Sequence, residues 1–269
     1  MKVALFGIHK LLSDSLTVLE QHRVFPEVVI FPPFESVFHQ VCEDICNRNN
    51  ILILRPASVK DSLFINQLRR LSIDRIIVAG YHQIFPASLL ELASLGALNC
   101  HGGLLPEEGG PNPWKWAVYA DKSFSGITIH QMTDKVDQGI YFYKEKIALD
   151  KYETAEKLFF KISRAISRIL PQFLQNVTLQ EVSDDLNIAS FEYKGKIPQE
   201  LCQFDLSQTS EELERRVKSF SPRPGVIFDY DDQRILVKEV QILTEFNISG
   251  KWVFRSANGY IRITEFDLH

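Results

Sequence analysis

The chain has 269 residues, of which 45% are hydrophobic, 11% aromatic and 24% charged. These proportions are typical of a folded globular protein and exclude disorder as its main state, because the apolar content suffices for a core. The net charge of −4 argues against a nucleic-acid-binding protein that depends on a positive field over its whole surface.

The start of the chain reads as a buried strand. The apolar residues 1–7 are soon followed by His9 and Lys10, so this stretch is too short for a signal peptide, and we expect a cytoplasmic protein. No apolar run approaches the roughly 20 residues that a membrane helix needs. Cys42 and Cys46 favour a structural role, because no second cysteine or histidine pair completes a metal site.

Strand and helix patterns alternate over the first hundred residues. Short apolar runs predict strands, and segments with helical spacing of leucines predict helices between them. Such alternation favours a Rossmann-like α/β fold, a mostly parallel sheet with helices on both faces. The predicted strands are 2–6, 27–31, 51–54, 75–79 and 97–99, and the predicted helices are 11–22, 36–47, 59–71 and 86–95.

The rest of the chain predicts a hairpin, a long helix and a small β-rich domain. We expect Pro171 to bend or break the long helix, because proline cannot donate a backbone hydrogen bond. The composition shifts near residues 193–198, so the predicted domains are 1–195 and 196–269. The predicted strands are 126–132, 139–148, 226–229, 235–241, 251–255 and 260–265, and the predicted helices are 153–177 and 210–220.

Polar side chains follow several of the predicted parallel strands. Parallel sheets bind ligands beyond the carboxyl ends of their strands, so His9, His82 and His101 should lie at one edge. The first turn, residues 6–10, lacks a Gly-x-Gly-x-x-Gly pattern, which argues against a nicotinamide or flavin dinucleotide site.

An amide, an imidazole and a carboxylate are candidates for catalysis. Asn99 and His101 point to the same side of the fifth strand, where an amide can stabilise negative charge and an imidazole can move a proton. Asp137 lies in a loop that can return to the same crevice, and a carboxylate hydrogen-bonded to an imidazole fixes its tautomer. On the residues alone, a structural histidine and a turn aspartate are equally good interpretations.

A second candidate feature is a helix start flanked by glycines. Asn112 and Pro113 predict an amino cap and a first helical residue, and the helix end suits an anion such as a phosphate. Glycines at 102–103 and 109–110 allow a ligand to approach the backbone closely. The alternative is an ordinary helix cap with Trp114 packed in the core.

Three motifs together resemble the folate-dependent formyltransferases. This family includes glycinamide ribonucleotide, methionyl-tRNA and nucleotide-sugar N-formyltransferases. The motifs are Asn99-x-His101 with Leu104-Leu105-Pro106, residues 126–130 leading to Asp137-x-Gly139, and residues 79–86. The carboxyl-terminal part, above all residues 213–225, resembles the small domain that is appended in the tRNA and sugar branches.

The resemblance implies a donor, an acceptor and site residues. It implies 10-formyltetrahydrofolate as donor, a primary amine as acceptor and no metal, with Asn99, His101 and Asp137 as the catalytic residues. The implied folate-binding residues are Tyr81, His82, Gln83, Ile84, Phe85, Asp134 and Asp137. The expected acceptor-binding residues are Ile8, His9, Lys10, Gly102, Gly103, Leu105, Pro106, Asn112 and Trp114.

Two departures from the family pattern affect which acceptor is expected. Members often carry an aromatic residue and an arginine after Leu-Leu-Pro, whereas residues 106–110 read Pro-Glu-Glu-Gly-Gly, without the arginine. The tRNA branch tends to have a basic carboxyl-terminal domain, but residues 196–269 contain 10 Lys and Arg against 12 Asp and Glu, a net charge of −2. Contacts of basic residues with phosphates dominate nucleic-acid affinity, so tRNA is not the expected acceptor.

By elimination, the expected acceptor is a nucleotide-linked amino sugar of lipopolysaccharide or another surface glycan, because the glycinamide ribonucleotide branch lacks the β-rich appendage. Formylation of methionyl-tRNA or of another small amine, hydrolysis of formyltetrahydrofolate, and a binding protein without turnover are the alternatives. A homodimer is expected only by analogy with the family.

Overall fold

The central feature of the fold is a seven-stranded, mostly parallel sheet. The computed structural model describes residues 1–34, 36–176, 178–182, 191–243 and 252–268. The strands of this sheet are β1 (Val3–Gly7), β2 (Val28–Ile30), β3 (Leu52–Leu54), β4 (Arg75–Ala79), β5 (Ala97–His101), β6 (Phe124–Gln131) and β7 (Tyr141–Ala148). They lie in the order β3-β2-β1-β4-β5-β6-β7, and β1 to β5 pair in parallel.

The helices of this half of the chain lie between the strands, as the alternating pattern predicted. They are α1 (His9–Gln21), α2 (His39–Arg48), α3 (Ser62–Leu71), α4 (Ala87–Leu90), α5 (Pro113–Tyr119) and α6 (Ala155–Gln175). β1 and β4 are buried along their whole length, which explains why their sequences are apolar apart from Arg75 at the start of β4. The predicted Rossmann-like class is therefore confirmed.

One helix prediction was wrong, and a break that was one of two expectations for another helix is not observed. The helix predicted over 86–95 ends at Leu90, because the Leu95 amide donates to the Asp74 carbonyl at 2.7 Å and the chain turns into β5. The long helix does not break at Pro171 but continues to Gln175. Its apolar side chains, including Ile166 and Leu170, are fully buried, and this packing offsets the lost backbone hydrogen bond.

The carboxyl-terminal part contains a separate antiparallel sheet, as predicted. Its strands are β8 (Val226–Tyr230), β9 (Gln233–Leu243), β10 (Val253–Arg255) and β11 (Tyr260–Leu268), in the order β10-β11-β9-β8. A short 3-10 helix (Gln199–Cys202) and α7 (Ser210–Phe220) precede them. Lys251 and Val177, predicted to lie in a strand and in a helix, fall outside the described residues.

The chain divides into two compact units. The first contains residues 1–110, 126–147 and 160–193, and the second contains residues 111–125, 148–159 and 194–269. The core of the second unit includes Leu213, Phe220, Val226 and Ile261. This unit thus includes α5, which lies outside the predicted domain of residues 196–269. Among the described helices, none has both the length and the apolarity needed to cross a bilayer.

The connection between β6 and β7 is tightly packed at Gly139. A Cβ atom placed on Gly139 would overlap the backbone of Gln131, the last residue of β6. The amide of Gln131 in turn donates to the Ile140 carbonyl at 2.8 Å. Only glycine therefore allows the two backbones to approach this closely, and this fixes the path of the loop that carries Asp137.

We predict that Gly139→Ala lowers the free energy of unfolding by about 2 kcal/mol, because the backbone must shift to accommodate the methyl group. Urea denaturation monitored by circular dichroism measures this change. The control is Gln138→Ala, one residue earlier, where the side chain is exposed. Equal stability of the two variants would contradict the packing argument.

Candidate active site

Three of the predicted side chains meet in the first unit. His101 ends β5 and is 6% exposed, and Asp137 is 7% exposed. The Asp137 Oδ1 atom lies 3.7 Å from Nδ1 of His101. It also lies 3.6 Å from Nε2 of His130, which accepts a hydrogen bond from Nδ2 of Asn99 at 3.2 Å. The structure therefore brings the amide, the imidazole and the carboxylate together.

Asp137 is held by its own loop and by the backbone of another. Its φ angle of 57° is in the left-handed region, which aspartate tolerates better than most residues. Its Oδ2 atom accepts a hydrogen bond from the Gly110 amide at 2.8 Å. One carboxylate thus has an amide on one oxygen and two imidazoles near the other.

The tautomer of His101 is set by Glu108, not by Asp137 as predicted. The Nε2 atom lies 2.6 Å from the Glu108 carbonyl, which can only accept, so Nε2 carries the proton. The 3.7 Å between His101 and Asp137 exceeds a direct hydrogen bond. The sequence pattern did not predict the contact between His101 and Glu108, because this contact forms only when residues 102–110 fold back over the imidazole.

The loop over His101 is fixed by buried hydrogen bonds. The Glu108 carboxylate accepts a hydrogen bond from the Leu104 amide at 2.8 Å. The Thr128 hydroxyl donates to the Gly103 carbonyl at 2.8 Å and accepts from the Leu105 amide at 3.0 Å. Where family members often carry an arginine, this loop therefore contains a buried glutamate that stabilises the loop itself.

His130 was missed as a site residue. Its Nδ1 atom donates to the Gln131 carbonyl at 2.8 Å, so Nε2 is left to accept from Asn99. This contact fixes which end of the Asn99 amide is the nitrogen. Asn99 and His130 are directly paired in register because β5 and β6 are antiparallel. Pairing these two strands in the sequence analysis would have placed His130 beside Asn99.

Burial and neighbouring charges shift two pKa values in the site. Burial is the largest influence on His101 and lowers its pKa, although Asp137 and the Glu108 carbonyl favour the protonated ring. Burial also opposes ionisation of Asp137, but His130, His101 and the Gly110 amide together outweigh it and lower the pKa of Asp137. At neutral pH the site therefore combines a neutral imidazole with an ionised carboxylate.

The predicted folate-side residues follow β4, with differing exposure. Tyr81 packs edge-on against Phe6 at 5.5 Å between ring centroids, and burial raises its pKa to about 12. Gln83 accepts a hydrogen bond from the Val59 amide at 2.9 Å and donates to the Ala57 carbonyl at 3.1 Å. His82 contacts Gln83, Phe85 is buried, Ile84 is 71% exposed and Asp134 is exposed.

The predicted acceptor residues fall into both units. In the first unit, the Nδ1 atom of His9 lies 3.2 Å from the Ser36 hydroxyl, and Lys10 forms an ion pair with Asp14 at 2.9 Å. Ile8 and Pro106 are half-buried, and Gly102, Gly103 and Leu105 are buried.

In the second unit, Trp114 packs against Phe159 at 5.0 Å between ring centroids. Asn112 precedes α5 as predicted but has a φ angle of 58°, and its side chain forms no cap hydrogen bond. The predicted positions of the amino cap and of Pro113 are therefore confirmed, but the left-handed backbone of Asn112 differs from the extended conformation in which a side chain caps a helix.

We predict that His130→Phe raises the pKa of Asp137, because the substitution replaces a polar, ionisable ring that lowers this pKa with an apolar ring that cannot solvate the carboxylate. Carboxyl-carbon NMR titration measures this pKa. His22→Phe, at the exposed end of α1, is the control and should leave it unchanged. An unchanged or lower pKa in His130→Phe would show that His130 does not stabilise the charge.

Comparisons of the sequence with family models and with known proteins agree on one family. A family model described as "Formyl transferase" matches residues 31–174, and one described as "Formyl transferase, C-terminal domain" matches residues 196–264. The methionyl-tRNA formyltransferase of Lachnospira eligens is 29% identical over 205 residues, which cover 75% of this chain. The matched part is 64% of that relative, so the chain spans just under two thirds of its length.

Solved structures share the fold over nearly the whole chain. A sugar N-formyltransferase from a Shewanella species gives a TM-score of 0.69 at 17% identity and covers 91% of this chain and 99% of that chain. The N-formyltransferase from Helicobacter canadensis, solved with folinic acid and dTDP-3-aminofucose, gives 0.66 at 14% identity and covers 100% of both chains. Because the first family model alone matches more than half of the residues, this chain belongs to the formyl transferase family.

Proposed function

We propose that the protein transfers a formyl group from 10-formyltetrahydrofolate to the primary amine of a nucleotide-linked amino sugar. The observation that carries this proposal is the cluster of the half-buried Asn99 with the buried His101 and Asp137, in which a neutral imidazole lies beside an ionised carboxylate. Such a pair can accept a proton from an attacking amine and stabilise the positive charge that results.

The reaction forms one bond to the formyl carbon and breaks another. The amine nitrogen attacks the formyl carbon, and the carbonyl oxygen becomes negatively charged. When this intermediate collapses, the bond to N10 of the folate breaks, and N10 takes up a proton as tetrahydrofolate leaves. The protein must therefore remove a proton from the amine, stabilise the oxyanion and return a proton to the leaving nitrogen.

His101 is the proposed group for proton transfer. Its Nε2 proton is engaged by Glu108, so Nδ1 is the basic nitrogen, and Nδ1 faces Asp137. A proton taken up at Nδ1 lies beside the carboxylate, which stabilises the imidazolium. Asp137 orients and stabilises this charge without itself becoming protonated.

Asn99 is the proposed oxyanion donor. Its amide nitrogen carries two hydrogens, and one of them is used in the contact with His130. That contact fixes the nitrogen in place, and the second N–H can donate to the developing oxyanion. A donor positioned in this way before the reaction begins is typically worth about 10²- to 10³-fold in rate.

The donor proposal is supported by the loop after β4 and by a solved relative. The Helicobacter canadensis protein was solved with folinic acid, a formylated folate. In this chain Gln83 anchors residues 81–85 through the backbone of Ala57 and Val59, while Ile84 is left exposed. We propose that the folate lies against this loop and the loop that contains Asp134 and Asp137.

The acceptor proposal is supported by the solved relatives and by charge. The Helicobacter canadensis protein was solved with dTDP-3-aminofucose, and residues 196–269 of this chain have a net charge of −2. The expected setting is surface-glycan synthesis in the cytoplasm. In the first unit, the residues proposed to contact the acceptor are Ile8, His9, Lys10, Gly102, Gly103, Leu105 and Pro106. Methionyl-tRNA is the second candidate, because the Lachnospira eligens relative at 29% identity carries that name.

The direct test is incubation of the protein with 10-formyltetrahydrofolate and a panel of nucleotide-linked amino sugars, followed by mass spectrometry. We expect one sugar to gain a single formyl group. Formylation of methionyl-tRNA alone would support the second candidate. Release of formate without any acceptor would identify a hydrolase, and no reaction of the folate at all would contradict enzymatic turnover.

We predict that Asn99→Ala, His101→Ala and Asp137→Asn each lower turnover by roughly 10²-fold or more, because each removes a group that acts on the transition state. Steady-state kinetics with the accepted amine measure this. Glu91→Gln, an exposed loss of a carboxylate, is the control. Near-normal turnover in the three variants would remove these roles.

We predict a pH profile in which kcat/KM rises with a midpoint below 6.5, the ordinary pKa of histidine, and is flat above it. The reason is that His101 must be neutral to accept a proton, and burial lowers its pKa. Asp137→Asn should move the midpoint to still lower pH, because the carboxylate favours the protonated ring. A midpoint above 6.5 in the unaltered protein would contradict the assignment of His101 as the base.

A further inference from the structure

A cleft in the second unit is lined by residues other than those assigned to formyl transfer. It is formed by α5, by residues 194–198 and by α7, and its volume is about 570 Å³. This volume falls within the range of roughly 300–1,000 Å³ that is typical of small-molecule sites. None of its lining residues is among those proposed to bind the folate or the acceptor.

One wall of the cleft is a fixed aromatic surface. The half-buried Trp116 ring packs edge-on against Tyr119 and against Phe220, each at 6.1 Å between ring centroids. Its Nε1–H group donates to the Gly195 carbonyl at 3.2 Å. The ring is therefore held in place from two sides, and a rigid aromatic side chain binds a flat ligand with little loss of conformational entropy.

The negative charge of Glu212, the carboxylate in the cleft, is compensated by neighbouring side chains. Glu212 accepts a hydrogen bond from the Tyr119 hydroxyl at 2.7 Å and forms ion pairs with Arg216 at 2.7 Å and with Arg215 at 3.1 Å. These contacts, together with the attraction of both arginines, lower the pKa of Glu212 although burial, the largest influence, raises it. The carboxylate is thus a support for the wall and does not repel an anion.

Two lysines give the cleft a positive character. Lys194 and Lys196 both line it, and the Lys194 Nζ atom lies over the Trp116 ring at 5.8 Å from the centroid. Lys196 is exposed to solvent. Because residues 196–269 have a net charge of −2, this is a local concentration of positive charge and not a property of the whole region.

We propose that this cleft binds a nucleoside diphosphate, with its base on the Trp116 wall and its phosphates at Lys194 and Lys196. An aromatic wall beside cations matches a ligand that carries a flat ring at one end and negative charge at the other. The site is additional to the acceptor site of the proposed function. A nucleoside diphosphate bound there would make the protein responsive to a nucleotide that is present together with its substrate or formed after it.

The indole N–H signals of the three tryptophans allow a direct test by ¹H–¹⁵N NMR. The protein is titrated with dTDP, UDP and GDP in turn, and the signals are assigned with Trp114→Phe and Trp252→Phe. We expect at least one nucleotide to move the Trp116 signal saturably, whereas pyrophosphate or the nucleoside alone binds more weakly. Lys196→Glu should raise the concentration at half-saturation by roughly tenfold.

The matched control is Arg255→Glu, which makes the same charge change at an exposed position of β10. It should leave the half-saturation concentration unchanged. The proposal is wrong if none of the nucleotides moves the Trp116 signal, if pyrophosphate binds as tightly as the nucleotides, or if Lys196→Glu and Arg255→Glu behave alike. A saturable shift of the Trp114 signal only would place the nucleotide at the acceptor site and would also contradict the proposal.

Discussion

The structure of the candidate site depends on one buried carboxylate. Asp137 is ionised although it is 7% exposed, and an uncompensated charge in that position would destabilise the fold. The Gly110 amide donates a hydrogen bond to one oxygen of this carboxylate, and the polar rings of His101 and His130 lie within 3.7 Å of the other. Because these groups come from separate parts of the first unit, the same interaction fixes the relative positions of the chemical groups proposed to act on the formyl carbon.

Two features of the backbone make this arrangement possible. The antiparallel pairing of β5 with β6 places His130 opposite Asn99 and Thr128 opposite His101. The close approach of Gly139 to Gln131 fixes the path of the connection between β6 and β7, and this connection carries Asp137 to the end of β5. The loop over His101 completes the site, since the Glu108 carbonyl determines which nitrogen of the imidazole is basic.

The sequence predicted those features of the fold and of the candidate site that depend on local pattern. The mainly apolar sequences of β1 and β4 implied a parallel sheet, and alternation along β5 placed Asn99 and His101 on one side. It missed His130 and the early end of α4, because each depends on a contact between segments distant in the chain, and it missed the role of Glu108, because that depends on how the loop after β5 folds back. The proline at position 171 also suggested a bend or a break in the long helix, and the helix continues past it because its apolar side chains are packed in the core.

The central claim is that a neutral His101, protonated at Nε2, stands beside an ionised Asp137. Imidazole ¹⁵N chemical shifts measured across a pH titration report both the tautomer and the pKa of the ring. The account predicts that at pH 7 His101 carries its proton on Nε2, with Nδ1 unprotonated, and that the second proton is taken up only below the ordinary histidine range. A ring that is doubly protonated at pH 7, or protonated on Nδ1 alone, would contradict it.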